Sequence, residues 1–354
     1  MHGNINRSPF LTMTSLSGKA PPDSDHQIPQ FGVVYDTSDH HFVRNNTNVP
    51  RSSVQKKIMQ EWKLLQKDLP ETIFVRVYET RVDLLRAAIV GARGTPYHDG
   101  LFFFDVAFPA DYPAHPPLVH YRSFGFRINP NLYCNGTVCL SLLNTWSGAK
   151  CERWDPNNST ILQLLLSIQA LILNEKPYFN EPAWVGRLDR ERESLAYSEQ
   201  SFILTCKSTL CLLRNPPKNF KPIVTQHFKD RAEFILNACY AYRNGFARVG
   251  YFNGVVEGTK GRVSGKLKGS IDGLYSDLLT EMSKTGASVK HLTQQARTEE
   301  ENKARKEAAT AAAGGGSECM SSFKEIGRSF VYLLKKIGFL RSNQKKNKSH
   351  KSKG

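Results

Sequence analysis

The order of apolar patterns between Ser52 and Tyr121 constrains this chain more than any other feature. From Ser52 to Leu69, Ile58, Trp62, Leu65 and Leu69 recur at helical spacing, while Lys56, Lys57, Lys63 and Lys67 lie off that stripe. Pro70 stops the helix. Three strand-like runs follow: Ile73–Tyr78, Leu84–Val90 and Gly100–Phe108. The last is too β-branched and aromatic for a surface helix. Pro109, Pro113, Pro116 and Pro117 then punctuate a loop before a fourth run, Leu118–Tyr121. One helix leading into an antiparallel meander predicts an α+β architecture.

The flanks differ in character. Residues 1–50 are rich in Asn, Ser, Thr, Asp and Pro and read as a mostly disordered leader, with a short ordered candidate at Phe31–Tyr35. Residues 122–158 form a long polar, irregular stretch, which a compact domain seldom keeps unless it is functional. Ser159 is expected to cap an apolar helix over Ile161–Asn174. Two more helices are expected at Ser194–Asn215 and Pro222–Arg243, so residues 51–257 form the core with a helical extension. Residues 258–322 read as linker with partly helical low-complexity sequence; 258–270 are rich in Gly, Lys and Ser. A basic amphipathic segment and a polybasic end occupy 323–354.

Composition narrows the function classes. At 40 % hydrophobic residues the chain can bury a real core. It contains no run of 18 apolar residues, and its first 18 residues lack a basic-then-apolar signal pattern. Seven cysteines, an odd number, fit a reducing compartment, so the cytoplasm is the expected location. The net charge is +16, but residues 258–354 carry 20 Lys or Arg against 9 Asp or Glu. The excess belongs chiefly to the tail, and nucleic acid is not an expected partner. The tail reads in three ways: a disordered end, a nuclear-import patch, or an amphipathic helix on the anionic cytosolic face of a membrane.

The chemistry concentrates in Asn129–Leu143. Cys139 ends a turn-rich polar segment just before an apolar run. A thiolate is strongly nucleophilic, and a thioester is an activated acyl group, so this thiol suits acyl transfer. The alternative is a buried small hydrophobe, the usual fate of a free Cys. Cys134 and Cys151 lack the spacing of a zinc site.

Several segments together resemble the ubiquitin-conjugating enzyme family. Asn129-Pro130-Asn131, the interval from Asn131 to Cys139, Gly136 and Val138-Cys139-Leu140 are similar to its active-site signature. Phe108–Pro117 is similar to its proline loop, and Trp154-Asp155-Pro156 to its loop after the cysteine. Thr95–Asp105, Cys139–Trp146, Lys176–Glu181 and Asp36–His41 resemble the large plant members of the phosphate-homeostasis group and the animal hybrid conjugase-ligases. The resemblance covers about residues 50–245. It implies the conjugating fold, with an N-terminal helix, a four-stranded antiparallel meander and C-terminal helices.

The resemblance also implies roles. Cys139 would carry ubiquitin as a thioester; Asn131 would stabilise the oxyanion or the active-site loop; Glu181 would orient or help deprotonate the attacking lysine. Lys56, Lys57, Lys63, Pro116, Pro117, Trp154 and Pro156 would dock the activating enzyme or a ligase. The expected partners are therefore ubiquitin, the activating enzyme, a ligase and protein substrates. No cofactor or metal is expected, because ATP is used upstream by the activating enzyme. Two departures stand out: Asn129 replaces the family histidine, and the loop from Cys139 to Trp154 is longer than usual. The first motivates an alternative, a non-catalytic ubiquitin-binding scaffold on the same fold.

Overall fold

A computed structural model describes residues 28–44, 51–146, 149–184, 187–256, 261, 263–292, 294, 298 and 305. Its spine is a five-stranded sheet in sequence order: β1 (Phe31–Val34), β2 (Ile73–Tyr78), β3 (Leu84–Val90), β4 (Leu101–Ala107) and β5 (Leu118–Tyr121). β2 to β5 pair antiparallel, as the sequence predicts. β1 adds a fifth strand from the leader and lies parallel to β2.

β4 is buried along its whole length because both faces of the sheet are covered. Phe102, Phe104 and Val106 point into one core, and Leu101 and Phe103 into another. The period-two geometry of a strand thus splits one aromatic run between two hydrophobic layers.

The first core is closed by two helices, α1 (Ser52–Asp68) and α2 (Ile161–Ser167). α1 buries Ile58, Trp62 and Leu65 of the predicted stripe and adds Val54; it ends at Asp68, so Leu69 of that stripe is its half-buried C-cap. The cap of α2 is Thr160 rather than Ser159. Thr160 Oγ1 accepts from Gln163 N at 3.1 Å, and Gln163 Oε1 accepts from Thr160 N at 3.3 Å. Ser159 is taken by the preceding turn, where its Oγ accepts from Asp155 N at 2.9 Å. The predicted helix continues past Ser167 only as a π turn over Ile168–Ile172.

Three helices cover the other face: α3 (Glu191–Arg214), α4 (Lys221–Asn244) and α5 (Gly265–Ser283). α5 lies within the stretch that its composition marks as linker. Gly265, Gly269 and Gly273 conceal a regular apolar stripe of Leu267, Ile271, Leu278, Leu279 and Met282, all buried. Ser264 caps it by accepting from Leu267 N at 3.0 Å. The basic segment at 323–354 lies outside the described residues.

Polar ties fix the remaining parts. Arg86 is fully buried and pairs with Asp105, and its Nη1 donates to Asp39 Oδ1 at 2.8 Å. Asp39 also accepts from Lys218 N at 3.0 Å, and Asp105 accepts from His41 N at 2.7 Å. The leader turn around residues 36–44 is therefore held by charge and hydrogen bonds, together with Phe42, which is buried in a small cluster with Tyr78, Leu84 and Ala107. A second network runs from Tyr242 OH to His98 Nε2 at 2.9 Å, and from His98 Nδ1 to Asp99 Oδ2 at 2.8 Å. Arg231 Nε then donates to Asp99 Oδ1 at 2.6 Å. This network fastens α4 to the loop between β3 and β4.

The docking of α5 gives a paired prediction. Ile271→Ala should lower unfolding free energy by about 2–5 kcal/mol. Gly273→Ala, exposed with open space around its added Cβ, should raise it by about 0.5–1 kcal/mol. Urea melts of the two variants measure this; an unchanged Ile271→Ala midpoint would mean that α5 is not packed as described.

Candidate active site

Asn129 is the root of the site. Its side chain is fully buried, so each polar atom needs a partner. Nδ2 donates to Tyr97 OH at 2.9 Å and to Ile172 O at 2.7 Å. Oδ1 accepts from Asn131 N at 2.8 Å. Tyr97 OH donates onward to Ile128 O at 3.1 Å. One amide thus joins the loop before β4, the end of the π turn and the start of the cysteine loop. The asparagine at the family's histidine position is a fully bonded structural tie.

Asn131 then brackets the cysteine. Its carbonyl accepts from Cys139 N at 2.9 Å, and its Nδ2 donates to Cys139 O at 2.9 Å. Between them the chain turns tightly. Tyr133 N donates to Thr137 O and Gly136 N to Tyr133 O, each at 3.0 Å. Gly136 has φ +88°, a left-handed conformation that glycine adopts without penalty. A Cβ there would lie 2.0 Å from the His120 ring. Thr145 closes the loop on its far side: its Oγ1 donates to Val138 O at 2.8 Å and accepts from Leu140 N at 3.0 Å.

Cys139 is left 9 % exposed. Burial pushes its thiol above the ordinary range, opposed by a hydrogen bond from the Tyr133 side chain and by the Arg127 guanidinium, while the Glu181 carboxylate adds to the rise. Burial thus disfavours the thiolate, and the groups that oppose the rise favour it. Glu181 is half-buried and follows Asn180, whose Nδ2 donates to Ile172 O at 3.1 Å. The segment bearing Glu181 is thus pinned to the same carbonyl that Asn129 uses. Asn131 is hydrogen-bonded to Cys139, and the Glu181 carboxylate acts on the thiol electrostatically; Cys134 and Cys151 are exposed free thiols.

Among the expected docking residues, Pro116 and Pro117 line a pocket with Gly136, Thr137 and Val138 of the cysteine loop, while Lys56, Lys57 and Lys63 lie on α1. Lys56 and Lys63 are exposed on α1, and Lys57 Nζ lies 3.7 Å from Glu61 Oε1. Glu61 is buried, accepts from Tyr112 OH at 2.8 Å and from Ile161 N at 3.0 Å. It links α1 to the proline loop and to the start of α2. Pro116 is half-buried and Pro156 exposed, whereas Pro117 is buried. Trp154 is also buried and donates from Nε1 to Pro113 O at 2.7 Å, so its indole braces the proline loop from inside.

Sequence reasoning did not single out Tyr133, Arg127, Asn180, Thr145 or Glu61. Tyr133 stands inside the signature, and its ring lies against the Arg127 guanidinium. Glu61 falls between two apolar stripe positions, Ile58 and Leu65, and that buried placement was its one readable signal.

Gly136 offers a test of the loop. Gly125→Ala meets left-handed strain but open space, and should cost about 1 kcal/mol. Gly136→Ala meets the same strain plus the His120 ring and should cost clearly more. Chemical denaturation of both variants checks the order, which would be reversed or equal if the loop did not pack on His120.

Comparison with known proteins places this geometry. Residues 57–195 match the ubiquitin-conjugating enzyme family. Putative ubiquitin-conjugating enzyme E2 38 of Arabidopsis thaliana is 47 % identical over 281 residues, covering 76 % of this chain and 84 % of that protein. Probable ubiquitin-conjugating enzyme E2 24 of the same plant is 51 % identical over 264 residues, covering 73 % of this chain and 29 % of its own length. The human dual E2 ubiquitin-conjugating enzyme/E3 ubiquitin-protein ligase BIRC6 is 39 % identical over 208 residues, 56 % of this chain and 4 % of that protein. The match spans between 22 % and 53 % of four of the Arabidopsis relatives.

Proposed function

The chain belongs to the ubiquitin-conjugating enzyme family, and on that premise we propose that it carries ubiquitin as a thioester on Cys139 and delivers it to substrate lysines. The observation that carries this reading is the pair of Asn131 hydrogen bonds at 2.9 Å that fix Cys139 at the signature spacing. In the first step the Cys139 thiolate attacks the thioester that joins ubiquitin to the activating enzyme. The new C–S bond forms on Cys139 and the enzyme's own thiolate leaves. In the second step a lysine amine attacks the carbonyl carbon, the C–N bond forms and the C–Sγ bond breaks. The electron pair returns to Cys139 Sγ. The nitrogen loses its proton to the Glu181 carboxylate and on to water.

Within this reading Asn131 holds the loop, and Glu181 orients the amine. Lys56 and Lys63 supply a positive face for the activating enzyme, because exposed charge steers encounter. Pro116 and Pro156 offer the exposed part of a ligase surface. Energy from ATP enters upstream, so the proposal includes no cofactor. The carrier would act in the cytoplasm; the basic end from Arg341 to Gly354 suits nuclear import or an anionic cytosolic membrane face.

Incubation with activating enzyme, ATP and ubiquitin tests the carrier. The native chain should gain a ubiquitin adduct that thiol reductant removes. Cys139→Ser should gain an adduct that reductant does not remove, an oxygen ester, and Cys139→Ala should gain none. No adduct on the native chain, or a labile adduct on Cys139→Ala, would overturn the reading.

A further inference from the structure

The leader turn meets the cysteine loop through two histidines that the proposed transfer does not use. His41 of the turn stacks on His120 of β5, with ring centroids 3.4 Å apart and planes within 3° of parallel. His120 in turn bridges to Thr137, and its ring fills the space beside Gly136, where a Cβ would lie 2.0 Å from it. The two rings and Phe42 form the leader side of a cavity whose other side is Gly136, Thr137 and Val138 of the cysteine loop.

The surroundings hold no counter-charge in reserve for these rings. Asp105 on β4 pairs with Arg86 of β3, accepts from His41 N at 2.7 Å and lies 3.6 Å from His40. Asp39 pairs with Arg86 at 2.8 Å and with Arg122, just beyond β5, at 3.3 Å, and it accepts from Lys218 N at 3.0 Å. Lys218 Nζ is taken by Asp36 at 2.9 Å. Asp111 and His115 of the proline loop are exposed and pair with each other at 2.5 Å. The Tyr78 hydroxyl of β2 is raised by burial and stays neutral. His40 is buried with the bonds of a neutral ring: Nδ1 accepts from Phe42 N at 3.3 Å and Nε2 donates to Leu85 O at 3.0 Å. Arg86 and Arg122 thus balance Asp39 and Asp105, and a proton on either stacked ring adds uncompensated charge. Protons on both would set two cations 3.4 Å apart.

We infer that the His41–His120 stack is an acid-released latch: with both rings neutral it holds the leader turn on β5 beside the cysteine loop, and proton uptake by the pair frees the turn. Burial, with His41 adding to the effect, lowers His120 to about 4 from the ordinary 6.5. A parted ring regains the ordinary value, so the released state binds more protons than the latched one between these limits. The latch is therefore fully held above about pH 6.5 and loses stability as pH falls towards 4. Release takes the His41 and Phe42 wall off the cavity and bares Gly136 and Val138 from that side. The device needs no thioester and stands apart from the carrier reading.

Amide hydrogen exchange on the full chain at pH 7.5 and 5.0, corrected for intrinsic rates, tests it. The amides of His41, Phe42 and Val43 donate to Asp105 Oδ2, His40 Nδ1 and His40 O, and they report the turn. Their protection should fall roughly ten- to thirty-fold at pH 5.0, the linkage expected for one ring moving between those two values. The amides of β4 should keep theirs. His120→Phe keeps a ring under His41 but takes no proton, so its turn should be equally protected at both pH values. Protection that does not change with pH in the native chain overturns the latch. An equal loss in His120→Phe also overturns it, and assigns the opening to His40 or the carboxylates. If His120→Phe does not fold, histidine-selective NMR of the native chain decides: the His120 ring should titrate well below 6.5, and a midpoint at 6.5 overturns the inference.

Discussion

The buried side chain of Asn129 is the constraint on which the site depends. Its three strong hydrogen bonds, at 2.7 to 2.9 Å, reach Tyr97, Ile172 and Asn131. Each partner belongs to a different part of the fold, so no single element could set the cysteine loop alone. Leaving any of these buried groups unpaired would cost about 1–3 kcal/mol, a large fraction of the stability of a domain. Asn180 shares the Ile172 carbonyl, so the Glu181 segment inherits the same anchor. Position follows from this: Asn131 sets Cys139, and the turn at Gly136 sets Tyr133.

The rest of the architecture supplies the rigid floor for that loop. β4 is buried on both faces, and the cysteine loop bonds to the sheet through Tyr121 N to Gly136 O at 2.8 Å. Glu61 ties α1 to α2 and to the proline loop, which Trp154 braces from the far side. Glu61 thus ties α1, on whose exposed face Lys56 and Lys63 lie, to the proline loop and to the start of α2 by buried hydrogen bonds. On the opposite face of the sheet, α3, α4 and α5 form a second core, so the sheet is a middle layer and not a floor open to solvent.

Much of this was legible because it rests on periodicity. The stripe of Ile58, Trp62 and Leu65 and the four runs from Ile73 to Tyr121 are local patterns, and the structure reproduces them as α1 and β2 to β5. The parts that sequence reading missed rest on long-range polar pairing. Asp39 meets Arg86 across 47 positions and Lys218 across 179, and nothing local marks the leader turn as ordered. α5 was masked by its glycines, whose low helix propensity is outweighed by the buried stripe beside them. At the site, the signature singled out Cys139 and Asn131 as candidates, and the Lys176–Glu181 segment singled out Glu181. The stacking of the Arg127 guanidinium on the Tyr133 ring was invisible, because it is a cation–ring contact that no local periodicity marks.

Amide hydrogen exchange in the native chain and in Asn129→Ala tests that dependence most directly. The amides of Asn131 and Cys139, which donate to Asn129 Oδ1 and Asn131 O, should be protected in the native chain. In Asn129→Ala both should exchange markedly faster, while the amides of β4 keep their protection. If Asn131 and Cys139 exchange at the same rate in the two proteins, the cysteine loop does not depend on Asn129, and the account fails at its root.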